Sequence, residues 1–397
     1  MKVIADFVNM PIWRQAFRPF FLAGSLFSIV ALAVWTATFS VTMEFSPHGN
    51  SLLWHAHEML FGFICAIIVG FLLTAVQSWT GLRAINGAPL LALFSLWLMS
   101  RILMIVNIAE MEWLIALVDI SFLPCAGVFF AKLVIKAGSK RNFQFIPVVA
   151  MLTGANILTH LSVLLDKPEL FTWGMRAAIM QVVLIMTVVG GRVVPLFTAS
   201  GARVAAVKPL PWLEKTVLGS TWLLAIVYIV NGVSFLPRSI LAGVFAVAAL
   251  SNAYRVLRWR VWTALSIPLV WSLHLAYWFI PVGFGLFALS YAGFVISEST
   301  ALHSLTAGAM GSLILAMIAR VSLGHSGRPL TAHWSLKFAF IFIVSAGITR
   351  VLTGLYPSLL AYNGYSISAG LWILAYTIYT AVYLRILTTT RVDGKPG

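Results

Sequence analysis

The chain has 397 residues, of which 61% are hydrophobic and only 9% charged, with a mean hydropathy of +0.97. A soluble protein carries roughly a quarter charged residues, so this composition excludes an ordinary soluble enzyme. A spanning helix needs about 20 apolar residues, and about twelve such helices with short loops fill the length. The sequence therefore predicts one all-α integral-membrane domain, with a cytoplasmic segment over 1–19, a helical bundle over 20–388 and a cytoplasmic tail over 389–397.

Twelve apolar runs bounded by charge, Pro or Gly predict the transmembrane helices. In chain order they begin near Phe20, Leu52, Ala88, Glu112, Phe145, Phe171, Leu213, Leu236, Ile267, Ala301, Ser335 and Ser366. The ninth run contains Pro268 and Pro281 and is long enough for one kinked helix or two short pieces. Because the other runs fit an even number of spans with both termini on one side, one helix is favoured.

The net charge of +15 is explained by topology. With the N-terminus in the cytoplasm, most Lys and Arg residues fall in the inside loops, while the outer loops carry acidic residues, as the positive-inside rule expects. Those acidic residues are Glu44, Glu110, Glu112, Asp166, Glu169 and Glu298. The excess of basic residues is therefore explained by orientation in a lipid bilayer, with both termini cytoplasmic, and does not indicate nucleic-acid binding. The first 19 residues contain no apolar signal core, so the first helix is expected to remain as an anchor.

Pro-Leu pairs recur at 89, 209 and 329, each preceded by a Gly-Arg turn after the second, sixth and tenth helices. This spacing is consistent with three pseudo-repeats of four helices, and equally with a generic way to leave one span and enter the next. A true repeat would make the second, sixth and tenth helices equivalent.

Histidines offer the clearest candidates for chemistry, because ionisable groups inside a span are costly. His55 and His57 lie near the outer end of the second helix, His160 near that of the fifth and His303 near that of the tenth, with His48 in the first outer loop. Two Cys residues, Cys65 and Cys125, provide no CxxCH motif, so a haem would be bound noncovalently.

The segment Trp54–Met59 reads WHAHEM. Residues two apart on a helix point in different directions, so His55 and His57 serve different neighbours. Glu58 shares a face with His55, where its carboxylate could orient an imidazole or move a proton. A hydrated helix cap at the interface is the alternative.

Other histidines carry comparable alternatives. His303 precedes a small-residue face and, paired with a second-helix histidine, would give the bis-imidazole ligation of a b-type haem, although ordinary helix packing explains the glycines equally well. Asn156 and His160 share a face, which suits a metal or an interhelical hydrogen bond. His274 lies among aromatic residues and would suit copper, or would donate to a backbone carbonyl.

Five basic residues do not fall on the cytoplasmic side, and three of them lie near residues that are candidates for chemistry. Arg101 and Asp119 lie at matching depth on the third and fourth helices and predict a structural ion pair. Arg176 and Arg350 lie near the outer histidines, where they would pair with haem propionates or extend to the interface.

The glycines at 190–191 and 324–327 predict tight helix exits with anchoring arginines, since no Walker motif is present. Nor is there a catalytic triad, so the residues alone do not decide whether the protein is an enzyme.

Several segments resemble the NnrS family: FRPFFL at 17–22, WHAHEMLFGF at 54–63, GFLLTAV at 70–76, GRVVPLFT at 191–198, WSLH at 271–274, and HSLT at 303–306 leading to GHSGR at 324–328. The likeness runs from residue 17 to about 390. Ser326 stands where the family has Thr, a small change.

The resemblance implies a bacterial inner-membrane protein with about twelve spans that contains haem and copper and takes part in denitrification and the nitric oxide response. As partners it implies nitric oxide and an unidentified electron donor. The metal and haem ligands inferred from depth and chemistry are His55, His57, His160, His274 and His303. Arg176 and Arg350 are expected to contact the haem, and Glu58 and Asn156 are expected to orient the ligands through hydrogen bonds.

The chain also has a more distant likeness to the catalytic subunits of haem–copper oxidases. It shares with them the number of helices and the histidines on helices two and ten, and those subunits hold their low-spin haem between these two helices. It rests on no extended motif, and the tandem His pair of a full copper site is missing, so oxygen reduction is not predicted. The leading hypothesis is a haem and copper protein that binds, senses or converts nitric oxide. A secondary transporter with a His-lined proton or metal-ion path, and a purely structural subunit, are the alternatives.

Overall fold

A computed structural model describes residues 6–39, 44–106 and 110–395. Within that part of the chain every regular element is helical. Residues 1–5 and 396–397 of the predicted cytoplasmic segments lie outside the described residues. The twelve long helices are α1 Phe17–Phe39, α2 Ser51–Thr80, α3 Ala88–Val106, α4 Glu112–Lys136, α5 Phe145–Leu164, α6 Pro168–Ala202, α7 Pro211–Ile229, α8 Arg238–Arg258, α9 Pro268–Tyr291, α10 Glu298–His325, α11 Leu336–Leu355 and α12 Pro357–Thr388.

The multi-pass prediction is confirmed by eleven of these helices, which are long and apolar enough to cross a membrane by length and composition. The remaining helix, α7, has Glu214 and Lys215 in its first turns, and these lower its hydropathy. The ninth run forms one continuous helix despite Pro281, as the even number of spans favoured. The twelfth helix begins at Pro357, nine residues before the predicted start at Ser366.

Local sequence signals account for several of the helix ends. The side chain of Asn50 accepts a hydrogen bond from the Leu53 N–H and caps α2, and Ser297 accepts from the Thr300 N–H and caps α10. Gly81, with φ +72°, ends α2 in the left-handed conformation that glycine adopts without strain. Pro211 and Pro268 occupy the first turns of α7 and α9, where a missing N–H costs nothing.

Both α2 and α10 contain a π-helical stretch of seven residues, Glu58–Ile64 and Ser304–Met310. Each stretch begins directly after a histidine, His57 in α2 and His303 in α10. Because π turns are rare and occur frequently at functional sites, they indicate α2 and α10 as helices that could carry function. The third helix of the proposed repeat, α6, is an uninterrupted α-helix, so this feature is common to two of the three. The threefold repeat stays a prediction.

Contacts divide the chain into two compact units, which are described separately. The first contains the residues up to Ala178, together with Val321–Pro329 and the residues from Thr380 onward. There α2 packs against α1 and α4, and α4 also packs against α3 and α5. The second contains Ile179–Arg320 and Leu330–Tyr379. There α8 packs against α7 and α9, and α10 packs against α9 and α11.

The glycine pair at 190–191 does not end a helix, and that prediction was wrong. Both residues lie inside α6, where Gly190 packs against the ring of Tyr277 and Gly191 against the guanidinium of Arg255. A side chain at Gly191 would overlap the Arg255 guanidinium, which pairs with Glu214 and donates to the Thr187 carbonyl at 2.9 Å. The glycines therefore make room for a buried ionic contact. The second predicted exit is confirmed, because α10 ends at His325 and Gly327 has φ +73°.

Candidate metal centre

A buried polar cluster lies inside the first unit, built by α2, α3, α4 and α5. Its members are His57 and Glu58 of α2, Arg101 of α3, Asp119 of α4, and Asn156 and His160 of α5, all at most 3% exposed. Polar groups removed from water must find partners, and charged groups most of all. The cluster therefore indicates either an internal ion-pair network or a ligand site.

Three side chains of the cluster converge as metal ligands would. One ligand atom from each of His57, Asp119 and His160 lies within 4.8 Å of the others. His160 Nε2 is 3.0 Å from Asp119 Oδ2, and His57 Nε2 is 3.3 Å from the same oxygen. Two imidazoles and a carboxylate form a donor set that binds copper, zinc or iron.

Hydrogen bonds fix the direction of each ring in this set. His57 Nδ1 donates to Glu58 Oε1 at 2.9 Å, and His57 Nε2 donates to Asn156 Oδ1 at 2.9 Å. The Asn156 amide donates in turn to Asp119 Oδ2 at 2.7 Å, which fixes its own orientation. Such support around the ligands holds a site in shape before an ion enters.

Charge in the cluster does not balance. Arg101 donates to both Glu58 and Asp119, so one fixed cation faces two carboxylates. Both nitrogens of His57 face oxygen acceptors, an arrangement that suits a doubly protonated ring. The site therefore calls for one further positive charge, which a proton on His57 or a bound cation would supply.

A fourth imidazole adjoins the cluster. His48, in the loop before α2, is 1% exposed, and its ring centroid lies 5.6 Å from that of His160. Neither His48 nitrogen has a hydrogen-bond partner among the described residues. A buried imidazole without partners is costly, which makes His48 available to an ion at this centre. Sequence reasoning left His48 out of the ligand set, because nothing in its local sequence distinguishes a loop histidine that folds inward.

Within the first unit the structure brings together four residues of the predicted site. His57, His160, Glu58 and Asn156 meet, and so does the predicted Arg101–Asp119 ion pair, which is confirmed but belongs to the site. His55 lies on another face of α2, where its ring stacks on Trp35 with centroids 4.4 Å apart. Glu58 therefore contacts His57 and not His55, which corrects the expected pairing.

His303 and Arg350 form a separate contact in the second unit. Arg350 Nη2 lies 3.1 and 3.2 Å from the two nitrogens of His303, and the guanidinium lies over the ring of Tyr365. His303 Nδ1 also donates to the Ser299 carbonyl at 2.7 Å. Two predicted haem residues are thus neighbours.

The small-residue face of α10 is filled, because Gly308 packs against Phe279 and Gly347, and Gly311 against Trp372. Helix packing therefore explains those glycines.

Two further predicted residues are His274 and Arg176. His274 on α9 is fully buried in the second unit, and its Nε2 lies 2.8 Å from Thr198 Oγ1, while its Nδ1 has no partner among the described residues. The backbone carbonyl contact considered for it is replaced by this hydroxyl. Arg176 is half-buried on α6 within the first unit.

The family model of the NnrS protein matches residues 11–391, nearly the whole chain. The chain belongs to the NnrS family. The resemblance in the sequence motifs is thereby confirmed, and two of the motifs, at 54–63 and 17–22, lie on the helices α2 and α1 of the first unit. No curated protein matches the chain. Membership in NnrS and the buried His57–Asp119–His160 group fit a metal-binding membrane protein.

Proposed function

We propose that this NnrS protein is a copper-binding membrane protein of the nitric oxide response, with the ion held by His48, His57, His160 and Asp119. The observation that carries the proposal is the convergence of three ligand atoms within 4.8 Å of one another in a buried site. Imidazole nitrogens suit copper, and the surplus carboxylate favours a cation. The response to nitric oxide and the bacterial inner membrane come from the family resemblance.

Copper held at this centre would bind a small diatomic ligand such as nitric oxide and exchange an electron with it. The protein residues supply the setting for that chemistry. Arg101 holds the carboxylates of Glu58 and Asp119 in place, and Asn156 holds the Asp119 oxygen that faces both histidines. Glu58 Oε2 is buried without a partner among the described residues, so it is open to a hydrogen-bond donor beside the ion.

A b-type haem is the second cofactor that the resemblance implies, and the predicted ligation by His303 and a histidine of α2 fits the surroundings of His303 poorly. Both nitrogens of His303 lie within 3.2 Å of the Arg350 guanidinium, whose fixed positive charge would repel a metal ion bound there. His274, with an unpartnered Nδ1, is the better candidate for a haem ligand. The proposed chemistry at the copper centre does not require the haem.

The transporter alternative has less support. A His-lined ion path needs water beside its histidines, whereas His48, His57 and His160 are at most 2% exposed and His57 and His160 are held by hydrogen bonds.

The test is to count copper in the full-length protein purified in detergent and to record its Cu(II) electron paramagnetic resonance spectrum. We expect about one copper per chain at this centre with nitrogen hyperfine structure, and loss of both in His160→Ala. His333→Ala, which alters an exposed loop histidine, should keep the signal. Addition of nitric oxide should then change the spectrum of the wild type. Copper retained in His160→Ala would overturn the site, and a signal insensitive to nitric oxide would overturn the role.

A further inference from the structure

A buried arginine of the first unit joins the start of α1 to the end of α12. Arg18 is fully buried, and its Nη1 donates to the carbonyls of Leu387 at 3.0 Å and Thr389 at 2.5 Å. Carbonyls at the C-terminus of a helix lack partners within the helix and carry its negative dipole end, so a cation there is stabilising. This contact uses only one of the three guanidinium nitrogens.

The other two nitrogens of Arg18 form a free edge. Nε and Nη2 are both buried and have no hydrogen-bond partner among the described residues. This edge is the one through which arginine donates two parallel hydrogen bonds to a carboxylate or phosphate. A buried cation with such an edge unpaired carries a large desolvation cost unless an anion is present.

A second arginine converges on the same helix end. Arg328, in the turn after α10, donates through Nη2 to Thr389 Oγ1 at 3.1 Å, so both arginines contact one residue. Its Nη1 is also buried without a partner among the described residues. Arg328 is half-buried as a whole, which leaves an approach from its side.

Neighbouring charges increase the surplus of positive charge. Arg328, Arg14 and Arg391 all repel Arg18. The carboxylate of this segment, Asp393, is occupied by Arg391, which donates to its two oxygens at 2.8 and 2.5 Å. No counter-charge for Arg18 and Arg328 is thus found in this part of the described chain.

We propose that Arg18 and Arg328 bind one oxyanion of the phosphate class. The Nε–Nη2 edge of Arg18 takes two oxygens and Nη1 of Arg328 takes a third, which favours a phosphate over a carboxylate with its two oxygens. The site uses none of the proposed metal ligands. It lies where α1 begins and where α10 and α12 end, so the phosphate can belong to a lipid headgroup at the membrane surface or to a soluble phosphate.

The experiment uses the full chain in a non-ionic detergent after removal of bound lipid. Binding of phosphatidylglycerol and of diacylglycerol is followed by native mass spectrometry, and binding of inorganic phosphate by equilibrium dialysis. The variants are Arg328→Gln and a matched control, Arg385→Gln, which removes the same charge from an exposed position of α12. Arg18→Lys keeps the charge and removes the two-nitrogen edge.

We expect phosphatidylglycerol to bind and diacylglycerol not to bind, with affinity reduced about tenfold or more in Arg328→Gln and Arg18→Lys and unchanged in Arg385→Gln. Binding of inorganic phosphate with the same variant pattern would identify a soluble phosphate as the ligand. The proposal is overturned if neither phosphate compound binds, or if Arg385→Gln weakens binding as much as Arg328→Gln. Should Arg328→Gln fail to fold, Arg18→Lys decides, because full binding by that variant would also overturn the site.

Discussion

Arg101 on α3 donates to Asp119 on α4, and this contact holds the carboxylate that faces both His57 and His160. A structural ion pair within the predicted spans is thus also the support of the candidate metal centre. The same guanidinium holds Glu58, so one residue controls two of the anionic groups around the site.

Arg101→Met is expected to lower the free energy of unfolding by about 3–5 kcal/mol, because it leaves two buried carboxylates without their cation. The measurement is denaturant unfolding in mixed micelles followed by circular dichroism. Lys136→Met removes an exposed cation at the end of α4 and should change the free energy by less than about 0.5 kcal/mol. Equal effects of the two substitutions would contradict the role given to Arg101.

His48→Ala separates ligand binding from folding. Removal of the buried ring leaves a cavity but also removes two nitrogens without a partner among the described residues, so these effects should offset and leave the stability of the metal-free protein within about 1–2 kcal/mol. Copper affinity should fall at least about tenfold if His48 completes the ligand set. Competition with a copper chelator measures the affinity, and an affinity equal to that of the wild type would exclude His48 from the centre.

Gly62→Ala tests the space in the π turn of α2. A Cβ at Gly62 would lie 2.7 Å from Arg101 Nη1 and 2.7 Å from Phe27 Cε1, so these side chains must move. We expect a loss of about 1–3 kcal/mol in unfolding free energy together with weaker copper binding. Gly154→Ala on α5, where a Cβ meets nothing within 4 Å, should instead be neutral or stabilising. Stability unchanged in Gly62→Ala would show that the turn is not tightly packed.

The helices could be predicted from the sequence because long apolar runs have few alternatives in a membrane, and all but α12 begin within three residues of their predicted positions. The π turns could not, since Glu58–Ile64 differs from its neighbours in hydrogen bonding and not in composition. Ideal α-helical spacing pairs Glu58 with His55, whereas the Glu58 carboxylate contacts His57, its neighbour in the sequence, and Arg101 of α3. Part of the candidate site could also be predicted, because His160 and Asn156 are four residues apart and so lie on one face of α5. The position of His48 could not be predicted, because it depends on the path of a loop, which composition does not determine.

Labelling of single cysteines tests the proposed orientation. In a Cys125→Ser background, Asp166→Cys in the turn between α5 and α6 should react in intact cells with a membrane-impermeant maleimide, given an outer membrane made permeable to the reagent. Ser139→Cys, between α4 and α5, should react only after lysis, because the positive-inside rule places that loop in the cytoplasm. The reverse pattern would invert the topology.

Glu58→Gln tests whether the surplus carboxylate strengthens metal binding. The amide can still accept the hydrogen bond from His57 Nδ1, but one fixed cation then faces one carboxylate in place of two. With the electrostatic attraction reduced, copper affinity should fall about tenfold, while the nitrogen hyperfine pattern of Cu(II) stays that of the wild type because the ligands are unchanged. A changed hyperfine pattern would mean that Glu58 itself binds the ion, and an unchanged affinity would mean that the charge balance of the cluster does not govern binding.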